Sequence, residues 1–399
     1  MTESLRLTGI SRLVTNVPGG DTALGIVEDA VVDLDGGRIA WAGNAREAPA
    51  TSGETLDVDG RVVMPGFIDP HTHLVFAGDR AGEFARRMAG AGYSEIQASG
   101  GGIMATVAAT RAATPAELFE ASRLRAAAML AAGTTTVEVK SGYGLDLVTE
   151  STMLEVAARI GRELQIDVVP TFLGAHAVPD GVDRDSYLRA VVNEMIPACA
   201  PLAQFIDVFC DRGAFTVEET RTILEAGVLA GLRPRLHAEQ LSHSGAAQVA
   251  ADFDAASADH LDHVTADGAE AMAQHGVVAV LLPGASLSMR SAPPPYRLLK
   301  EKSVTVALAT DCNPGTSYWL SMQSMVALAV GLFGMDVHDA IWSATRGGAL
   351  AIEESRKGIV AAGARADLIV LDADDPVHLA YRPDSNHLWI AVKDGVRVV

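Results

Sequence analysis

The sequence predicts an α/β protein: a (β/α)8 TIM-like barrel carrying a small β-sandwich domain built from both termini. Three observations predict it. Eight short apolar runs recur through the middle of the chain, mostly with helical stretches between them. Both ends instead alternate short apolar runs with Asp-Gly turn signals. The length, 399 residues, exceeds one ordinary compact domain but suits a large α/β barrel with an appendage.

The elements follow in order. Residues 1–62 contain "AVVDLDGGRIAWAGNA" and "TLDVDGRVV", where Asp-Gly-Gly and Asp-Gly between alternating runs signal hairpins. Strands are then expected over 62–69 (VVMPGFID), 134–140 (TTTVEVK), 167–173 (DVVPTFL) and 205–210 (FIDVFC). Four more are expected over 233–238 (RPRLHA), 258–262 (ADHLD), 277–282 (VVAVLL) and 304–310 (VTVALAT). Helix starts lie between them. Thr114 reads as an N-cap, Pro115 as the first helical residue, Glu117 as the capping-box partner and Gly133 as the stop. Thr216 and Glu219 repeat the device. Strands alternating with helices in this way make a parallel barrel. The connection 74–133 is the longest and is the candidate lid. The last forty residues return to the style of the first, in "ADLIVLDAD" and "WIAVKDGVRVV". The expected division is therefore 1–62 with 357–399 as one small domain and 63–356 as the barrel.

Composition narrows the function classes. Nearly half of the residues are apolar and few are aromatic, which favours a large core of tightly packed α/β layers. The formal net charge is −19 with no basic stripe, which argues against a nucleic-acid partner, since phosphate binding needs clustered Lys and Arg. Cys199, Cys210 and Cys312 form no Cys-x-x-Cys pair and read as reduced thiols. No signal-peptide pattern opens the chain, and no run approaches the roughly 18 apolar residues that span a bilayer. The expectation is a cytoplasmic protein with a small-molecule substrate, no membrane partner, and a homodimer on base rate alone.

The chemistry is expected where barrel strands end, because active sites form at the C-terminal face. "DPHTHLVFAGDR", 69–80, places His71 and His73 two apart after the first strand. If that segment stays extended, both rings face one side and reach one ion. His237 ends the fifth strand, His260 lies in the sixth and Asp311 ends the eighth. A lone His-x-His is commonly incidental, and a lone buried His is commonly a core residue. The set gains weight because each member sits at a strand end, and only barrel closure makes those strands neighbours. Three imidazoles and a carboxylate suit Zn or Fe, with a position left for water.

The pattern of His-Thr-His on strand one, His on strands five and six, and Asp on strand eight resembles the amidohydrolase superfamily. "SGGGI", "EVKSGYGL", "FLGAHAVP", "HAEQ", "SADHL" and "TDCNPGT" narrow the resemblance to the branch that opens an imidazolone ring bearing a propionate tail. The resemblance runs nearly end to end. It implies one divalent or trivalent ion per chain, Zn or Fe, held by His71, His73, His237 and Asp311. It implies substrate contacts at Arg80, Tyr143, His176, Gln240, Asn313, Gly315 and Thr316. An arginine suits a propionate carboxylate through a bidentate pair. Asp311 is the candidate proton shuttle, assisted by His260. Some relatives carry glutamate where this chain has Gln240, and an amide is no base at neutral pH. Lys140 falls on strand two, not strand four where a carboxylated lysine bridges two metals in many superfamily members. One metal is therefore expected, with Lys140 pairing a carboxylate or lining the pocket. Two alternatives stand beside this: a deaminase of an amino-heterocycle in the same superfamily, and a barrel scaffold without catalysis.

Overall fold

The computed structural model describes residues 4–18, 22–51, 53–90 and 101–399. Five strands come first: β1 (Leu5–Val14), β2 (Ile26–Asp35), β3 (Arg38–Asn44), β4 (Glu54–Asp57) and β5 (Val62–Pro65). Eight follow in the middle of the chain: β6 (Phe67–Asp69), β7 (Thr134–Lys140), β8 (Asp167–Ala175), β9 (Phe205–Cys210), β10 (Arg233–Ala238), β11 (Ser257–His260), β12 (Val278–Leu281) and β13 (Val306–Leu308). Last come β14 (Leu368–Leu371), β15 (Leu388–Lys393) and β16 (Val396–Arg397).

The middle eight pair in parallel and in sequence order from β6 to β13. Helices separate them, as at Pro115–Ala131, Leu147–Glu163 and Val217–Leu229. Both expected capping boxes form. Thr114 Oγ1 accepts from the Glu117 amide while Glu117 accepts from the Thr114 amide, and Thr216 and Glu219 reciprocate in the same way. The barrel closes above β6 and β13. Thr72 and Cys312 form a parallel bridge, in which the His73 amide donates to Cys312 O at 3.0 Å and the Asp311 amide to His71 O at 3.1 Å. Asp69 strengthens the seam by accepting from the Thr310 amide and hydroxyl.

The remaining strands form one sheet in the order β16-β15-β14-β5-β1-β2-β3, with β4 beside β1. Strands from both ends of the chain thus share one sheet, as their matching composition predicts. Its strands β5, β14 and β15 are apolar on both faces for a reason. Val62, Met64, Ile369, Leu371 and Ala391 face the main core, while Val63, Leu368, Val370, Ile390 and Val392 enclose a second core with Leu7, Leu13, Val32 and Ile39. Successive side chains point to opposite faces, so a strand covered on both sides loses its polar alternation.

One expected element divides. The run 62–69 is two strands, β5 in the terminal sheet and β6 in the barrel, with Gly66 between them. The Gly66 amide donates to Asp367 O in the sheet, and the next amide, Phe67, donates to Gly133 O in the barrel. The crossing is tight: a Cβ on Gly66 would lie 2.4 Å from the Thr135 side chain. A continuous apolar run carries no mark of that change of partner. The expected strand 258–262 ends at His260, because His260 and Leu261 turn to φ of 77° and 63°. Within the proposed lid, Ala81–Met88, Ile103–Ala112 and Pro115–Ala131 are helices, while 91–100, with Ser99 and Gly100 of the "SGGGI" stretch, lie outside the described residues.

Candidate active site

A cavity of about 440 Å³ opens where the barrel strands end. His73, Arg80, Tyr143, His176, His237, Gln240, His260, Asp311, Asn313 and Thr316 border it, and His71 lies fully buried beside them. Every residue expected to act thus borders the cavity except His71 and Gly315, the latter lying against Arg80.

Local backbone explains the placement. Beyond β6 the chain stays extended through His73, because Thr72 bridges to Cys312 on one side and its carbonyl accepts from the Lys140 amide at 2.9 Å on the other. The two imidazoles therefore project together, with ring centres 5.4 Å apart. His237 arrives from β10, its ring 4.5 Å from that of His71. Asp311 follows β13 with φ of 52°, a left-handed turn that aspartate tolerates better than most residues.

The donor atoms converge. His73 Nε2 and His237 Nε2 stand 3.3 Å apart, and Asp311 Oδ1 lies 3.5 Å from His71 Nε2 and 3.6 Å from His73 Nε2. Two ligands across a tetrahedral ion with bonds of about 2.0–2.1 Å are separated by about 3.3–3.4 Å. His71 Nε2 is buried with no hydrogen-bond partner, whereas its Nδ1 donates to Asp259 Oδ2 at 2.5 Å. That proton placement leaves the orphaned Nε2 as a lone pair aimed at the other donors, and this fits a metal ligand. His237 is arranged alike, with Nδ1 3.1 Å from both Asp207 oxygens. Among the described residues, three overlapping groups place donor atoms close enough to share an ion: His71, His73 and Asp311; His71, His237 and His260; and His73, His176 and His237.

The electrostatics agree. Burial holds His71, His73 and His260 well below the ordinary imidazole value, so they are neutral and able to bind metal. Burial also pushes His176 down to about 3. Its Nδ1 donates to Gly142 O at 2.9 Å, which leaves Nε2 as an acceptor. Burial raises the Asp311 carboxyl well above its usual range, and a cation alongside reverses that by favouring the carboxylate. Tyr143, buried against His73, is pushed upward by burial and keeps its proton.

The cavity rim holds the remaining groups. Glu83 grips Arg80 through Nε and Nη2, and also accepts from the Gly102 amide at 2.9 Å. Arg80 Nη1 is left against Gly315, where a Cβ would lie 2.2 Å from it. Asn313 Oδ1 accepts from the Gly315 and Thr316 amides at 2.8 and 2.7 Å, so those backbone donors are engaged inside the turn. Gln240 Nε2 donates to Met289 Sδ at 3.6 Å. Lys140 is buried and pairs with carboxylates, at 2.8 Å from Asp207 and 3.0 Å from Glu138.

Asp207, Asp259, Glu138 and Glu83 were not singled out from the sequence. The first three carried a usable signal, an acid inside an apolar run: "FIDVFC", "SADH" and "TVEVK". A charge in a strand buried on both faces must have a partner. Glu83 carried a local one, standing three residues after Arg80 at the spacing of a helical ion pair.

Known proteins supply the context. The amidohydrolase family model matches residues 62–398. An imidazolonepropionase of Streptomyces coelicolor is 49% identical, covering 100% of both chains. One from Mycolicibacterium smegmatis is 47% identical over 98% of this chain and 97% of its own. Among solved structures, a triazine hydrolase variant superposes with a TM-score of 0.81 at 16% identity, over 100% of this chain and 95% of that one. A zinc-bound adenosine deaminase from Xanthomonas campestris gives 0.71 at 19% identity, over 98% and 92%. These two likenesses concern the fold alone. On the extent of both sequence matches, the chain belongs to the amidohydrolase family and, within it, to the imidazolonepropionases.

Proposed function

We propose that the chain hydrolyses 4-imidazolone-5-propanoate to N-formimidoyl-L-glutamate, a step of histidine degradation. The observation that carries the reading is a run of close donor contacts, His73 to His237 at 3.3 Å and Asp311 to His71 and His73 at 3.5 and 3.6 Å, beside a cavity bordered by Arg80. Those four residues would hold one ion, Zn or Fe. When bound, the ion supplies Lewis-acid activation of water near neutral pH.

The chain's own groups do the rest. Arg80 holds the propionate carboxylate, with Glu83 fixing its direction. His176 Nε2 accepts from the substrate, and the Tyr143 phenol donates to it. Gln240 orients the ring nitrogens and moves no proton. Asp311 takes the water's proton as oxygen attacks the ring carbonyl carbon, and His260 donates to the developing oxyanion. As the carbonyl re-forms, the C–N bond breaks and Asp311 returns the proton to the leaving nitrogen. Asn313, Gly315 and Thr316 shape the wall that meets the product.

The wider reading is a cytoplasmic homodimer with no nucleic-acid or membrane partner; among the described residues no helix is long and apolar enough to cross a membrane. It also keeps the division into a small domain, 1–62 with 357–399, and a barrel domain, 63–356, with β5 carrying the former to residue 65. Loss of imidazolone absorbance with formation of the formimidoyl product tests the activity. Ammonia release from an amino-purine or amino-pyrimidine, with the imidazolone untouched, would replace it by a deaminase.

A further inference from the structure

Below the expected ligands lies a layer of charge that the ring-opening steps do not use. Lys140, the last residue of β7, is fully buried. Its Nζ lies 2.8 Å from Asp207, 3.0 Å from Glu138 and 3.7 Å from Asp259. Arg235, equally buried, donates to Asp259 at 3.2 Å and to Pro70 O at 2.6 Å. Two fully buried cations therefore face three fully buried carboxylates.

Each carboxylate has a second task. Asp259 accepts from Nδ1 of His71. Asp207 accepts from both Nδ1 and the backbone amide of His237. Glu138 accepts from the amide of Thr72, between His71 and His73, at 3.2 Å. One ammonium thus reaches, through three acids, the segments that carry three of the four expected ligands. We propose that Lys140 is the positioning residue of the metal site: its ammonium fixes Asp207, Asp259 and Glu138, so that His71 and His237 keep the proton on Nδ1 and present Nε2 to the ion. Three carboxylates without it repel one another and turn away, freeing the rings they orient. The inference rests on the ligand set proposed above, not on the identity of the substrate.

The test uses the full chain in two forms, Lys140→Met and Lys140→Met with Glu138→Gln. The second removes one charge of each sign, which keeps the balance and guards against simple misfolding. Far-UV circular dichroism reports the fold, competition with a chromophoric chelator gives the zinc affinity, and nitrogen NMR of labelled histidine in metal-free protein reads the ring protons. We expect the folded double variant to bind zinc about 10–100-fold more weakly, with the Nδ1–H pattern of His71 and His237 lost. Unchanged affinity and ring spectra in a folded variant would overturn the role of Lys140. Should the unaltered protein bind no zinc, the ligand set fails, and the metal-free ring spectra still decide for or against Lys140.

Discussion

Asp311 combines two properties at the scale of one residue: its Oδ1 faces two histidine nitrogens, and burial makes it readily protonated when no cation is near. Replacing it with asparagine keeps the shape and removes the proton shuttle. Turnover of Asp311→Asn should fall by about 100-fold or more, measured as kcat with saturating metal. Glu83 acts differently. It occupies two of the Arg80 donors and ties them to the Gly102 amide, so it sets where the guanidinium points. Glu83→Gln should raise KM about tenfold with kcat nearly unchanged, the signature of lost binding common to ground and transition states. A tail-less imidazolone should show no such difference between the two proteins. The candidate ligands were legible at this scale because His and Asp at strand ends are few. Asp207 and Asp259 were not, since the rings they hold lie 30 and 188 residues away, and Glu83 was missed although Arg80 stands only three residues before it.

Among the elements, the passage from β5 to β6 leaves little room for a side chain. Gly66 lets the backbone leave one sheet and enter another within a single residue, against Thr135. Gly66→Ala should destabilise the protein by about 1–3 kcal/mol through overpacking, seen as a lower melting temperature, while KM stays as it was. Helix starts were readable residue by residue, because a capping box is a local exchange of hydrogen bonds between Thr114 and Glu117 or Thr216 and Glu219. The division of 62–69 was not readable, because both sheets accept the same apolar side chains.

The whole molecule is joined at the far end of the barrel by ion pairs. Lys357 binds Asp367 at 2.6 Å and also Asp167 at the start of β8, and Lys393 binds Asp167 at 3.0 Å and Asp367 at 3.2 Å. Burial alone would raise the Asp167 carboxyl, but Lys357 and Lys393 outweigh it and hold it below the ordinary value. A depressed carboxyl stabilises the fold above its unfolded value and loses that contribution as pH falls. Asp167→Asn should therefore cost about 1–3 kcal/mol at pH 7, less than for a wholly buried pair since Asp167 is partly exposed. The gap in melting temperature from the unaltered protein should close below about pH 4. Metal removal acts at the other end. Exhaustive chelation should abolish turnover and lower the melting temperature, and zinc or ferrous iron should restore both.

The sequence by itself determined the period of the elements, the pairing of the two chain ends in composition, the helix caps, and which few residues had the chemistry to bind a metal. Those properties are local: they depend on side-chain type and spacing along one strand or helix turn. Only the tertiary structure decided that the run 62–69 serves two sheets, that Lys140 sits among three acids, and that Asp259 reaches His71. Each of these is a meeting of segments brought together by closing the barrel or folding one sheet against it. Spacing along a chain carries no record of such a meeting until the backbone has closed.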